Sequence, residues 1–231
     1  MPNLTVGKVQ LTNFSTVERL TVVKTAYLKV SILLDKAIKA LKDDFSTLNN
    51  TEEARFTKWF GATTNRSYVL DRLKPMRLQL KFKGLVVRED LTNPNLYGSA
   101  PSVAAATGVA NDVIYGSEAA SFFDASAPLL KDITAANNLA RMTIGPKFYT
   151  APLLGTNDSQ VGTIIHELSH LVSHTEDVED ENYGYFPAPA VPVPDRSVFY
   201  GETACKWLAQ NRPLHARHNA DSYLMYVCAF S

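Results

Sequence analysis

The chain has 231 residues, 45% of them hydrophobic, which is enough for one sizeable core. Lys plus Arg and Asp plus Glu each number 23, so no net field draws the chain to nucleic acid or to an anionic membrane surface. The only two cysteines, Cys205 and Cys228, exclude a disulfide-stapled scaffold and a cysteine-rich zinc module, leaving one disulfide or two buried thiols.

The first residues, Met1 to Thr5, lack the basic start and apolar run of a secretory leader, and no apolar segment reaches the roughly 18 residues that a membrane span requires. The expectation is a soluble monomer without membrane insertion, acting outside the producing cell through trimming or a leaderless route, or in the cytoplasm. Apolar residues at Leu20, Val23, Tyr27, Val30, Leu34, Ala37 and Leu41 recur at three-then-four spacing and predict one long packing helix over 17–41. A second helix is expected from Thr51 through Phe56, Trp59 and Phe60 to a stop at Gly61, and a third over 67–76. Over 77–87 the alternation of Leu78, Leu80 and Phe82 with Gln79, Lys81 and Lys83 reads as a strand, broken at Gly84 and followed by another apolar run. The stretch 93–127, rich in Gly, Ser, Ala, Asn and Pro, reads as loop with a short β-like insert at Val113, Ile114 and Tyr115. Asp158 is a candidate N-cap for a helix over 159–173, buried through Ile164, Ile165, Leu168, Leu171 and Val172. Next come an acidic run, 175–181, and a segment with alternate prolines, 186–194, which cannot be helical and reads as an extended surface loop. Two final helices are expected over 203–210 and 216–230, separated by Asn211, Arg212 and Pro213.

The chemistry sits in His166-Glu167-Leu168-Ser169-His170. Helical residues four apart lie one above the other, so His166 and His170 can share one metal ion while Glu167 faces the water that the ion binds. Zinc lowers the pKa of that water from about 15.7 to about 7, and a neighbouring carboxylate can take its proton as it attacks an amide carbonyl. Burying two imidazoles and a carboxylate together without a cation would cost several kcal/mol. A catalytic zinc normally has a third protein ligand. His174 lies two turns from His166, about 12 Å along a straight helix, too far to share the ion. Asp177, Glu179, Asp180 and Glu181 all remain open on spacing. His215 and His218 read as surface residues.

Beyond the pentapeptide, the order of short patterns resembles the aspzincin metalloendopeptidases, the family of deuterolysin and the peptidyl-Lys metalloendopeptidases. There the pentapeptide is followed by Gly-Thr-x-Asp, Tyr-Gly-x-x-Ala and Asn-Ala-Asp. Here those read His174-Thr175-Glu176-Asp177, Tyr200-Gly201-Glu202-Thr203-Ala204 and Asn219-Ala220-Asp221. Upstream, Arg55-Phe56-Thr57-Lys58-Trp59-Phe60-Gly61 is similar to a stretch common in these enzymes. The resemblance implies one zinc per chain held by His166, His170 and Asp177, with Glu167 as general base and Tyr200 as oxyanion donor. It also implies Asp221 in the pocket for a basic residue after the scissile bond. Two departures stand out. The family places Tyr-Gly three residues after the ligand Asp, whereas Tyr200 is far from Asp177, as if 178–199 held an insertion. Asp180 and Tyr183 keep the family spacing within it and are the alternative ligand and phenol. Leu224 occupies the position where the peptidyl-Lys enzymes have a second acidic residue.

The fold implied is α+β and zincin-like, one domain over 1–231. A helical part, 1–76, precedes a small, mostly antiparallel sheet, the helix carrying the pentapeptide and two C-terminal helices, with the cleft between sheet and zinc helix. The expected activity is zinc-dependent endopeptidase on protein or peptide substrates. Two rivals are a protease effector with a narrow protein substrate and a non-catalytic, zinc-stabilised binding module.

Overall fold

The computed structural model describes residues 1–42, 50–96, 98–99, 140–155, 158–178 and 199–231. The expected insert at Val113 to Tyr115 and most of the acidic and proline-rich stretch lie outside them. The long periodic segment forms α1 (Val17–Lys42), and Leu20, Val23, Tyr27, Val30, Leu34, Ala37 and Leu41 are all buried, as their spacing requires. Glu18 in its first turn and Lys39 and Lys42 in its last complement the helix dipole. Helices α2 (Asn50–Phe60) and α3 (Arg66–Leu78) follow where expected.

The alternation after α3 misleads. Gln79–Lys83 continues as a π-helical turn, with Leu78 and Phe82 exposed, and Gln79 is buried, donating its side-chain amide to the Gly84 carbonyl. A strand face needs its alternate residues buried on a sheet, and here only Leu80 of Leu78, Leu80 and Phe82 is buried. The strand itself, β3 (Leu85–Glu89), starts only beyond Gly84.

The sheet also begins earlier than expected. A hairpin of β1 (Leu4–Val6) and β2 (Val9–Thr12) opens the chain, and the remaining strands are β4 (Gly98–Ser99) and β5 (Ala140–Ile144). Their order is β1-β2-β3-β5-β4. The expected mostly antiparallel arrangement is corrected to a mixed one: β2, β3 and β5 run parallel, and only β1 and β4 pair antiparallel. Parallel neighbours need long crossovers, and α1 to α3 supply the one between β2 and β3. Val9, Leu11, Leu85, Val87, Met142 and Ile144 bury one face of this sheet in the same core as the helices.

After β5 come α4 (Pro146–Thr150), α5 (Gln160–Ser173), α6 (Gly201–Asn211), the short α7 (Pro213–Ala216) and α8 (Ala220–Cys228). The final helix is thus shorter than expected, because 216–219 turns through α7 into an extended Asn219. Helix α5 packs against α8, α3 and α1 and runs beside β4 and β5, so the element bearing the pentapeptide lies at the centre of the molecule. No helix among the described residues is long and apolar enough to cross a membrane. Cys205 and Cys228 are both buried free thiols, which decides between the two readings of the pair.

Candidate metal centre

Helix α5 is capped by Ser159, whose Oγ accepts from the Gly162 amide at 3.0 Å, not by Asp158. Asp158 has φ +43°, whereas an N-cap needs the extended backbone that Ser159 adopts. The helix ends at His174, which is left-handed at φ 51° and turns the chain back over the last turn. Here the resembling family has Gly, the residue that enters this conformation without strain.

The returning chain is fastened residue by residue. Thr175 Oγ1 lies 2.6 Å from Ser169 Oγ, and its carbonyl 2.8 Å from His170 Nδ1. Glu176 bridges Asn219 in parallel fashion, and the Val178 amide donates to Asn219 Oδ1 at 3.3 Å. The Phe199 amide donates to the Val178 carbonyl at 2.9 Å, and Asn219 Nδ2 donates to the Phe199 carbonyl at 3.1 Å. Asn219, fully buried, therefore ties Val178 to Phe199. With those residues bridged, the chain reads Asp177-Val178-Phe199-Tyr200-Gly201, and the Asp-x-x-Tyr-Gly spacing reappears in space. Asp180 and Tyr183 lie outside the described residues.

Three donor atoms converge. His166 Nε2 and His170 Nε2 are 3.0 Å apart, and Asp177 Oδ1 is 3.3 Å from each. No other group of three or more potential metal ligands occurs among the described residues. Ligands about 2.0–2.1 Å from a tetrahedral ion lie about 3.3–3.4 Å from one another, so this triangle has nearly the right edges for zinc. The tautomers agree. His170 Nδ1 faces a carbonyl, which can only accept, so it carries the proton and Nε2 is bare. His166 Nδ1 faces Asp221 Oδ1 at 2.7 Å, and a carboxylate likewise makes it the N–H donor. With both rings neutral in these tautomers, two lone pairs and a buried carboxylate oxygen converge on one point, an arrangement that a proton or a metal cation relieves.

Burial opposes a charge on His166, but Asp177 and Asp221 outweigh it and lift its pKa to about 10. Burial likewise raises Asp177, but His166 and His170 outweigh it and hold the carboxyl well below the usual range. The site demands positive charge, from protons or from a metal.

Glu167 follows His166 on the half-buried face of α5, and β4 passes directly over it. A Cβ at Gly98 would lie 2.8 Å from Thr163 Cγ2 and 3.6 Å from Glu167 Cγ, so a side chain there would have to displace Thr163. The Tyr200 ring is tilted by 54° against that of His166, with centroids 5.9 Å apart, and the residue is 39% exposed. Burial, then the Asp177 carboxylate, then the charges of Asp221 and Glu167 raise its pKa well above the ordinary phenol range, so it remains an O–H donor. The second oxygen of Asp221 accepts the Gly201 amide at 2.6 Å. His166, Glu167, His170, Asp177, Tyr200 and Asp221 are therefore brought together. His174 and His218, by contrast, are buried away from the triangle, which corrects the surface reading of His218. The residues not anticipated are Thr175, Ser159 and Asn219. Of these, Thr175 and Asn219 were legible as parts of the Gly-Thr-x-Asp and Asn-Ala-Asp patterns.

Neither a protein-family model nor a curated protein sequence matches the chain. Among solved structures it is similar to a zinc peptidase from Grifola frondosa, with a TM-score of 0.59, 19% identity, and coverage of 92% of this chain and 96% of that one. At that identity the likeness establishes the fold, α+β with a small mixed sheet.

Proposed function

We propose that the chain is a zinc metalloendopeptidase. The observation that carries this reading is the triangle of His166 Nε2, His170 Nε2 and Asp177 Oδ1, 3.0 to 3.3 Å apart at nearly tetrahedral spacing and beside a carboxylate on the same helix. The fold shared with a zinc peptidase supports it.

His166, His170 and Asp177 hold the metal; when bound, zinc polarises the scissile carbonyl and makes water acidic enough to be deprotonated near neutrality. Glu167, next to His166 on the helix, accepts the proton of the attacking water and returns it to the leaving amine. Tyr200, kept protonated, donates to the oxygen that gains negative charge as the carbonyl becomes tetrahedral, a contact stronger in the transition state than in the substrate. Protein or peptide in extended form is the substrate. A basic residue after the scissile bond is the preference implied by the resemblance, with Asp221 as counter-charge; the surroundings of Asp221 favour a different role.

Freshly purified chain should contain one zinc and cleave an unfolded protein, with cleavage sites mapped by mass spectrometry. Glu167→Gln should keep the metal while turnover falls by about 10²-fold or more. Zinc bound without hydrolysis by the wild type would favour the binding-module reading, and no zinc uptake would sink both.

A further inference from the structure

Asp221 stands in the first turn of α8 with 7% of its surface exposed. Its two oxygens have separate duties. Oδ1 accepts from His166 Nδ1 at 2.7 Å, and Oδ2 accepts from the Gly201 amide at 2.6 Å. Both distances are short, as expected of hydrogen bonds to a carboxylate. Gly201 enters α6 at φ 79°, a conformation that only glycine adopts freely, and its amide belongs to the peptide unit that begins at the Tyr200 carbonyl. One carboxylate thus grips a metal ligand with one oxygen and the backbone next to the catalytic phenol with the other.

The surroundings leave little for a substrate cation. Asn219, Ala220 and Ser222 on either side are fully buried. Leu224, one turn further along α8, is also buried and lies against Gly162 of α5, so the position three residues on offers hydrocarbon instead of a second acid. Of the other carboxylates facing Tyr200, Asp177 belongs to the metal triangle and Glu167 to proton transfer.

We propose that Asp221 is a positioning residue, which orients His166 for the metal and fixes Tyr200 through Gly201, and is not the receptor for a basic substrate side chain. The chain then selects the residue after the scissile bond without a counter-charge from Asp221. This rests on the metallopeptidase reading for its substrate half. For its metal half it rests only on the triangle.

The test uses the full chain with Asp221→Asn and Asp221→Ala, and two peptides identical except for Lys or Leu after the scissile bond. Zinc affinity is measured by chelator competition, and kcat and KM at saturating zinc. A hydrogen-bonded partner behind a metal-ligating imidazole typically contributes 10–100-fold, so Asp221→Ala should weaken zinc by roughly that factor, with Asn, which can still accept from His166, losing less. Both peptides should lose kcat by the same factor, with KM little changed and the Lys:Leu ratio of kcat/KM kept within about twofold. Unchanged zinc affinity together with a loss confined to the Lys peptide, carried by KM, would overturn the proposal. If the wild type cleaves neither peptide, the peptidase reading fails and the zinc measurement alone decides the role of Asp221. The Asn variant is nearly isosteric, so it keeps the test open even where the Ala variant does not fold.

Discussion

In the proposed mechanism the Tyr200 phenol is the one group at the triangle that acts on the substrate without being either ligand or base. Its ring is 5.9 Å from His166 and it stands at the exposed side, where a substrate carbonyl would arrive. Tyr200→Phe removes one oxygen and keeps the ring contact, so zinc content and KM should be unchanged while kcat drops by about 10²–10³-fold, the usual cost of deleting one oxyanion donor. Steady-state kinetics on a single peptide check this, and a loss carried by KM would instead make Tyr200 a binding residue. What could be read from the sequence follows the same division. His166, Glu167 and His170 were legible because their geometry is local, set by one turn of helix. The hydrogen-bond partners of Asp221 were not, since His166 and Gly201 are 55 and 20 residues away and meet it only after folding.

At the scale of elements, helices with an apolar stripe were read closely, as α1 and α5 illustrate, because burial along one face leaves its period in the sequence. The sheet was read poorly. Its strands are short, its parallel pairing depends on crossovers, and the alternation of Leu78, Leu80 and Phe82 belongs to a π-helical turn. The decisive element-level feature is the closure between Val178 and Phe199, which brings the described chain on the two sides of 179–198 together through Asn219. A chain with Val178 joined to Phe199 through one or two glycines should therefore still bind one zinc and keep the affinity of the full chain within about tenfold, since ligands, caps and partners are all retained. Metal analysis and chelator competition on the spliced chain provide the measurement. Loss of zinc there would favour Asp180, the spacing alternative that the deletion removes, as the third ligand.

For the molecule as a whole, the groups that decide acid stability sit behind the metal triangle. His174 ends α5, and His218 precedes α8 with its Nδ1 3.0 Å from the Tyr68 hydroxyl of α3, which in turn accepts from Arg72 at 3.0 Å. Burial first, then Arg72, pushes His174 down to about 3. Burial, then Arg217, Arg72 and His215, pushes His218 down to about 3 as well. Both rings are thus neutral in the folded chain, whereas in the unfolded chain they protonate below about 6.5. Between pH 6.5 and 3 the unfolded state binds protons that these two buried rings refuse, with a smaller share from His215, which burial and Arg212 also lower, so stability falls as pH falls, by up to roughly 1.4 kcal/mol per pH unit for each of the two rings. His166 does not oppose this in the metal-free chain. Its raised pKa contributes stability that is complete below about 6.5 and is lost only as pH rises towards about 10. Asp177, held low, adds a further loss only once pH falls below the ordinary carboxylate value. Urea unfolding of metal-free protein at pH 6.5 and 4.5 should therefore show a decline of a few kcal/mol. His174→Asn, which tolerates the left-handed backbone, should cut that decline by about half while leaving the His218 share intact. If the variant and the wild type lose stability with the same slope, the buried imidazole of His174 is not what makes this fold sensitive to acid.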